Sequence, residues 1–195
     1  MPRALSTPPT ITSGSLAGGR PQPELGSSDG LLLRPWSGAD APVFLSAYQD
    51  EEMRRWHTRR PSCEADVLAW FAAYREDWAA ERGGHWAVAG GDGEVLGRIA
   101  LRDWDLDDGT AEVAYWVLPG ARGRGVATGA VRTLTDWALR YAGFHRLALD
   151  HSTRNHASCR VATKSGYAAE GTKRSAAVHD DGRHDMHLHA RVREV

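Results

Sequence analysis

Between Thr110 and Tyr141 the chain changes its hydrophobic period once, and that change restricts the fold more than any other feature. From Thr110 to Leu118, the residues Ala111, Val113, Tyr115 and Val117 alternate with Glu112, Ala114 and Trp116, the period of a strand with two unlike faces. Pro119-Gly120 stops the strand. Ala121-Arg122-Gly123-Arg124-Gly125-Val126-Ala127-Thr128 follows and leads into a long helix. Ala127, Val131, Leu134, Ala138 and Tyr141 mark its apolar face, and Gly143 its C-terminal stop. A strand, a glycine-rich turn and a helix in this order form a phosphate site. Amides at a helix start have no intrahelical partner and point outward. The helix dipole adds positive potential there. Gly123 and Gly125 permit unusual dihedrals and keep side chains out of a phosphate's path. Arg122 and Arg124 add charge, and Thr128 adds a hydroxyl.

Two common phosphate loops do not fit. The nucleoside-triphosphatase loop ends in Gly-Lys-Ser or Gly-Lys-Thr, and no Lys stands in this stretch. The dinucleotide frame needs a third glycine where Thr128 stands.

The rest of the chain sets the frame around this unit. Its 195 residues, 42% of them hydrophobic, suffice for one domain with a full core. The formal net charge of -1 argues against a dedicated nucleic-acid binder. Two cysteines, Cys63 and Cys159, are too few for a secreted disulfide scaffold, so a reducing, cytoplasmic setting is expected. No apolar run approaches the roughly 20 residues that span a bilayer, and no secretory signal is expected in Met1 to Gly30. Residues 1–30 carry five Pro, five Gly and five Ser, which predicts a disordered tail ahead of a domain over 31–195.

Within that domain, Leu31 to Arg34 reads as a strand and Asp40 to Gln49 as a helix. A second helix starts at Ser62 and carries Val67, Trp70, Phe71, Tyr74 and Trp78 on one face. His85 to Ala89 and Glu94 to Leu101 form a hairpin about Gly90-Gly91-Asp92-Gly93. After the long helix come a strand over Arg146 to His151 and a short helix capped by Asn155. Two last strands, Tyr167 to Val178 and His184 to Val192, flank Asp180-Asp181-Gly182. The order predicts an α+β fold with a mixed, mostly antiparallel seven-stranded sheet and about four helices.

The hexapeptide Arg122-Gly-Arg-Gly125-Val-Ala127 resembles the acyl-coenzyme A signature of the GNAT superfamily of N-acetyltransferases. Ala111-Glu-Val-Ala-Tyr-Trp-Val117 before it resembles the central strand of the branch that acetylates ribosomal-protein N-termini at serine or alanine. Asn155-His-Ala-Ser158, Val161-Ala-Thr-Lys164, Gly166-Tyr167, Glu170-Gly171, Asp181-Gly182 and Asp185-Met186-His-Leu188 resemble that branch's closing half. The resemblance spans about Leu31 to Val192.

That resemblance implies acetyl-CoA as cofactor and a primary amine as acceptor, possessed by a peptide N-terminus or by a small molecule such as an antibiotic, polyamine or amino acid. A non-catalytic acyl-CoA sensor is the alternative of another class. It implies that two strands splay and that backbone groups of Val117 and Leu118 pair with the pantetheine arm. Amides of Arg122, Gly123, Arg124, Gly125, Val126, Ala127 and Thr128 would hold the diphosphate, with Asn155 and Ser158 beside the thioester sulfur. For catalysis it offers Glu112 as base and Ser158 as partner of the leaving thiolate. His151, at the end of the next strand, is a second candidate base by its titration range. Each has a plain structural alternative: an ion-paired strand residue, a helix-capping hydroxyl, a packed histidine. Tyr167 reads as core rather than as an acid. A homodimer is left open, and no membrane or nucleic-acid partner is expected.

Three further signals are weighed here. His184, His187 and His189 resemble a metal cluster, but a strand puts 187 and 189 on one face and 184 on the other, so no metal is expected. Arg54, Arg55, Arg59 and Arg60 around Trp56 and His57 read either as a border of the acceptor site or as a solvated loop. Trp36, Trp56 and Trp104 are candidates to line the acceptor pocket, whereas Trp70, Trp78 and Trp137 read as core.

Overall fold

The computed structural model describes residues 7–194. Eight strands form one sheet in the order β1-β2-β3-β4-β5-β6-β8-β7. They are β1 (Leu25–Gly26), β2 (Leu32–Pro35), β3 (Gly84–Ala89), β4 (Val95–Asp105), β5 (Thr110–Val117), β6 (Arg146–Ser152), β7 (Ala168–His179) and β8 (Gly182–Val192). Five α-helices accompany them: α1 (Ala41–Ala47), α2 (Glu51–Trp56), α3 (Glu64–Ala79), α4 (Val126–Arg140) and α5 (His156–Lys164). The expected seven strands and four helices thus gain β1 and α2. Both are short, and short elements carry little periodicity to read.

Alternation divides the core. Ala111 and Val113 of β5 pack with α4 residues Val126, Ala130, Val131, Leu134 and Ala138 on one face of the sheet. Trp116 joins Phe44 of α1 and Val67 and Phe71 of α3 on the other, with Trp36 stacked on Phe71 at 5.1 Å between ring centroids. Leu134 is fully buried, so truncating it to Ala costs about 2–5 kcal/mol. Tyr141, expected on the apolar face of α4, is 80% exposed. The helix ends one residue before it, and Gly143 at φ 90° turns the chain away. The second helix is capped by Cys63 rather than Ser62, whose amide instead donates to the Asp66 carboxylate at 2.8 Å.

The proline- and glycine-rich N-terminal stretch departs from its reading as a disordered tail. From residue 7 it lies along the domain. Ile11 and Ala17 are buried, and the amides of Thr10 and Ile11 donate to the carbonyls of Asp107 and Leu106. Glu81 is the anchor: its carboxylate accepts from the amides of Gly14, Leu16 and Ala17 at 2.6–2.8 Å. Trp78 and Trp86 add indole hydrogen bonds to the carbonyls of Arg20 and Pro23. A charged acceptor for three amides and two buried apolar side chains offset the ordering cost that composition alone suggests is prohibitive.

The feature that creates the site is the junction of β5 and β6. These are parallel neighbours, yet they pair only at Thr110↔Arg146, Ala111↔Leu147 and Glu112↔Ala148. Beyond Glu112 the strands part, β5 remaining on β4 and β6 on β8. The chain leaves β5 into α4 and β6 into α5, so both helices begin at the open end of the gap.

Candidate active site

A cavity of about 430 Å³ occupies this gap. Tyr115, Trp116 and Val117 line it from β5, Arg122, Gly123 and Gly125 to Thr128 from the start of α4, and Asn155, Ser158, Val161 and Lys164 from α5. Met53, Trp56 and His57 close it from α2.

The α4 start behaves as its glycines require. Gly123 and Gly125 have φ of 74° and 82°, a left-handed conformation that costs an L side chain energy. A Cβ at either would meet no atom within 4 Å, because both face open space. Gly125 is the N-cap and supplies no side-chain acceptor. The first amide with an intrahelical partner is that of Gly129, which donates to the Gly125 carbonyl at 2.9 Å. The amides of Val126, Ala127 and Thr128 precede it, without an intrahelical acceptor, and these three residues line the cavity. A helix start of this kind suits an anion, held by backbone donors.

The α5 start is different. The Asn155 side chain accepts from the Ser158 amide at 3.0 Å and so caps its own helix. With its Ser158 amide so engaged, α5 turns side chains to the cavity. Asn155, Ser158 and Val161 face the cavity at helical spacing, flanked by the cations Arg160 and Lys164. Those two cations escaped the sequence reading; their i, i+4 spacing beside Ser158 and Val161 is the signal that marks them. Arg132 of α4 ties the helices by donating to the Lys164 carbonyl at 2.5 Å.

Not every expected residue arrives. Glu112 lies where β5 and β6 are still paired, outside the cavity, with Arg102 Nη2 at 2.5 Å from its Oε1. It is the ion-paired strand residue of the alternative reading. His151 is also outside: it is buried under α5, and burial lowers its pKa. The Leu118 amide donates to Leu96 on β4 at 2.9 Å, so it cannot serve the gap. Ladder bonds alternate along an antiparallel strand, which turns the Val117 and Tyr115 peptide groups to the open edge instead. Arg124 is exposed beside the loop and does not line the cavity. Arg122 does, but its guanidinium pairs with the Asp50 carboxylate and, at 2.9 Å, with Glu52. It clamps the loop to α2.

The arginine-rich stretch near α2 is likewise engaged. Arg60 pairs with Asp180, and Arg55 lies over the Trp56 ring and within 4.0 Å of Asp181. Of the three candidate tryptophans only Trp56 lines the cavity; Trp36 and Trp104 pack in the core clusters. Tyr167 is core as expected, its hydroxyl 2.7 Å from Thr135 Oγ1.

Two further lining residues have titratable side chains to which the sequence had assigned no role. Tyr115 holds its hydroxyl inside the cavity wall toward Ser158, without the geometry of a hydrogen bond to any described residue. Burial pushes its pKa up to about 12, so it stays a proton donor. The alternation had marked Tyr115 only as an apolar-face residue. His57, at the end of α2, is driven down to about 4 by burial, reinforced by Arg98 and Arg102. It is neutral at pH 7 and retains a lone pair.

Among the described residues no helix is long and apolar enough to cross a membrane. Residues 30–168 match the family model described as "Acetyltransferase (GNAT) domain". A Bacillus subtilis protein whose name describes a ribosomal N-acetyltransferase is 30% identical over 95 residues, 49% of this chain and 52% of that protein. The ribosomal-protein-serine acetyltransferase of Escherichia coli is 26% identical over 99 residues, 51% of this chain and 55% of that protein. The chain thus spans about half the length of these curated relatives. Among solved structures, a ribosomal L7/L12 α-N-protein acetyltransferase in complex with coenzyme A superposes with TM-score 0.80 at 16% identity, covering 87% of this chain and 98% of that one.

Proposed function

Since the chain belongs to the GNAT acetyltransferase family, we propose that it is an acetyl-CoA-dependent N-acetyltransferase and that its acceptor is an α-amine such as a peptide N-terminus. The observation that carries the reading is the uncapped start of α4 at the mouth of a gap between two parted strands. Bare amides at one end and an unpaired strand edge beside it fit a long ligand with a diphosphate and an amide-containing arm. The names of the two curated relatives and of the structural neighbour support a ribosomal-protein type of acceptor.

The thioester, when bound, supplies an activated acetyl group. The amides of Val126 to Thr128 hold the diphosphate, with Arg160 and Lys164 adding charge from α5. The peptide edge of Val117 orients the arm. Ser158 Oγ and the protonated Tyr115 hydroxyl, from α5 and β5, would supply a proton or hydrogen bond to the leaving sulfur. Trp56 and Met53 exclude water from the acceptor side.

The proton on the amine decides the acceptor class. The titratable groups that line the acceptor side are His57, a weak base with pKa about 4, and Glu52, paired with Arg122. An α-amine of pKa about 8 is roughly one-tenth free at pH 7, while a lysine amine of about 10.4 is free in roughly one molecule of 2,500. Weak bases suffice for the first and not for the second.

The test is release of free thiol from acetyl-CoA with peptides bearing a free serine or alanine N-terminus, the same peptides N-terminally blocked but carrying lysine, and small polyamines. Turnover confined to free N-termini is expected. Binding of acetyl-CoA without turnover on any amine would establish the sensor instead, and absence of binding to coenzyme A or its acetyl ester would end both readings.

A further inference from the structure

On the far side of α5 from the cavity, four metal-binding side chains converge. His151 comes from β6, His187 and His189 from β8, and Cys159 from α5. One donor atom from each lies within 4.8 Å of every other. The register explains why. β6 and β8 are antiparallel, with His151 directly opposite His187 and Leu149 opposite His189. Cross-strand partners share a face, and so do residues two apart, so the three imidazoles crowd one side of the sheet. Their ring centroids lie 5.1 Å apart for His151–His189 and 5.4 Å for His151–His187. α5 covers that side and lowers Cys159 onto it.

The protonation pattern points to a missing electrophile. His151 Nδ1 is 2.9 Å from the Ser152 carbonyl. A carbonyl only accepts, so Nδ1 carries the proton and Nε2 is a bare lone pair. That Nε2 has no partner among the described residues, nor has His189 Nδ1, although the two residues are only 5% and 4% exposed. Buried nitrogens without partners are costly. An outer hydrogen bond from the far ring nitrogen to a carbonyl is how metal-ligating histidines are commonly oriented. His184 offers a contrast on the same strand. Its Nδ1 meets Ser152 Oγ at 2.8 Å and its Nε2 meets Asp181 at 2.7 Å, so neither nitrogen is left over.

We propose that His151, Cys159, His187 and His189 bind one zinc ion. Three imidazoles and a thiolate are the donors that zinc takes, and they disfavour magnesium and calcium. Four protein donors leave no position for water, which marks a structural ion rather than a catalytic one. Zinc bonds of about 2.0–2.3 Å make donor edges of about 3.3–3.7 Å, so the set contracts by about 1 Å around the ion. The Cys159 proton is released to solvent as the thiolate binds. The ion then fastens α5 to β6 and β8. Cys159 adjoins Ser158, so holding the one fixes the rotation of the helix that aims the other into the cavity.

Zinc content and thiol protection test the site, and neither readout depends on acetyl transfer. The full-length chain, purified without an affinity tag after growth with zinc, should carry one zinc per chain by elemental analysis. After chelation, cobalt(II) should produce thiolate-to-metal charge-transfer absorption with the intensity of a tetrahedral centre. Cys159→Ser should abolish that absorption, while His156→Ala, at an exposed position on α5, should leave it intact. Should Cys159→Ser fail to fold, alkylation of the unaltered chain decides. Zinc should slow modification of Cys159 by at least about tenfold and leave exposed Cys63 unchanged. Zinc far below one per chain, an aquo-cobalt spectrum, or equal alkylation of Cys159 with and without zinc would each overturn the proposal.

Discussion

α4 and α5 both begin at the mouth of the cavity, but α4 starts with no side-chain cap and α5 with its Ser158 amide capped by Asn155. α4 has a glycine N-cap in a left-handed conformation and no side-chain acceptor. α5 has Asn155, whose carbonyl oxygen takes the Ser158 amide. A helix start left open stores binding capacity for an anion, at some cost to the free protein. A start closed by its own sequence is a rigid platform for side chains. On the proposed function the gap uses both: backbone charge at the diphosphate and placed hydroxyls at the sulfur.

The sharpest way to break this division is to spoil the open start. Gly125→Val puts a β-branched residue at φ 82° and a side chain into the anion's space. Strain of that kind costs about 1–3 kcal/mol, to which lost amide contacts add, so affinity for coenzyme A should fall about 100-fold by calorimetry. Unchanged affinity would remove the diphosphate from α4. Next in size is Ser158→Ala on the closed start. It should lower kcat about 10- to 100-fold while the affinity for coenzyme A stays within about twofold, since the hydroxyl is assigned to the leaving sulfur. If Tyr115→Phe gives the larger loss, the proton comes from β5 and Ser158 only orients the arm.

The difference between these helices also explains what could be read in the sequence. The proposed phosphate loop is local: its donors are consecutive amides within Arg122 to Thr128, and its glycines at φ 74° and 82° are demanded by backbone geometry. The proposed catalytic wall is not local. It joins α2, β5 and α5, and on β5 three residues separate Glu112, turned to Arg102 on one face, from Tyr115, which meets the gap on the other. Periodicity assigns faces but not where along a strand its neighbour departs, and here that departure after Glu112 decides everything. The metal-type cluster was invisible for the same reason. Alternation separates His187 and His189 from His184, but only the β6–β8 register brings in His151. The N-terminal stretch misled because composition counts apolar residues and does not count acceptors such as Glu81.

A milder substitution separates stability from binding. Asn155→Ala removes the cap of α5 and should cost about 1 kcal/mol in urea unfolding. Because α5 is assigned side-chain rather than backbone duties, coenzyme A affinity should change less than it does for Gly125→Val by at least an order of magnitude. Comparable losses in affinity would mean that the α5 start also binds through its amides, and the contrast between the helices would dissolve.

The smallest effect is expected where the open start is braced. Arg122 reaches back to Asp50, and that guanidinium holds the Asp50 carboxyl below its ordinary range against an opposing push from burial. A depressed carboxylate pKa means that the unfolded chain binds the proton more readily. The pair therefore stabilises the fold above the ordinary value of 3.8 and loses that contribution as pH falls through the lower folded value. Between pH 5 and 8 the clamp is constant. Asp50→Asn keeps the cap of α2, where the side chain accepts the Met53 amide at 2.9 Å, and removes only the charge. Partly exposed ion pairs contribute about 0.2–1 kcal/mol, and Glu52 still holds Arg122, so affinity for coenzyme A should weaken by less than about threefold. A tightening instead would mean that Arg122, once released from α2, turns to the diphosphate, and the loop would then hold its anion by side-chain charge as well as by bare amides.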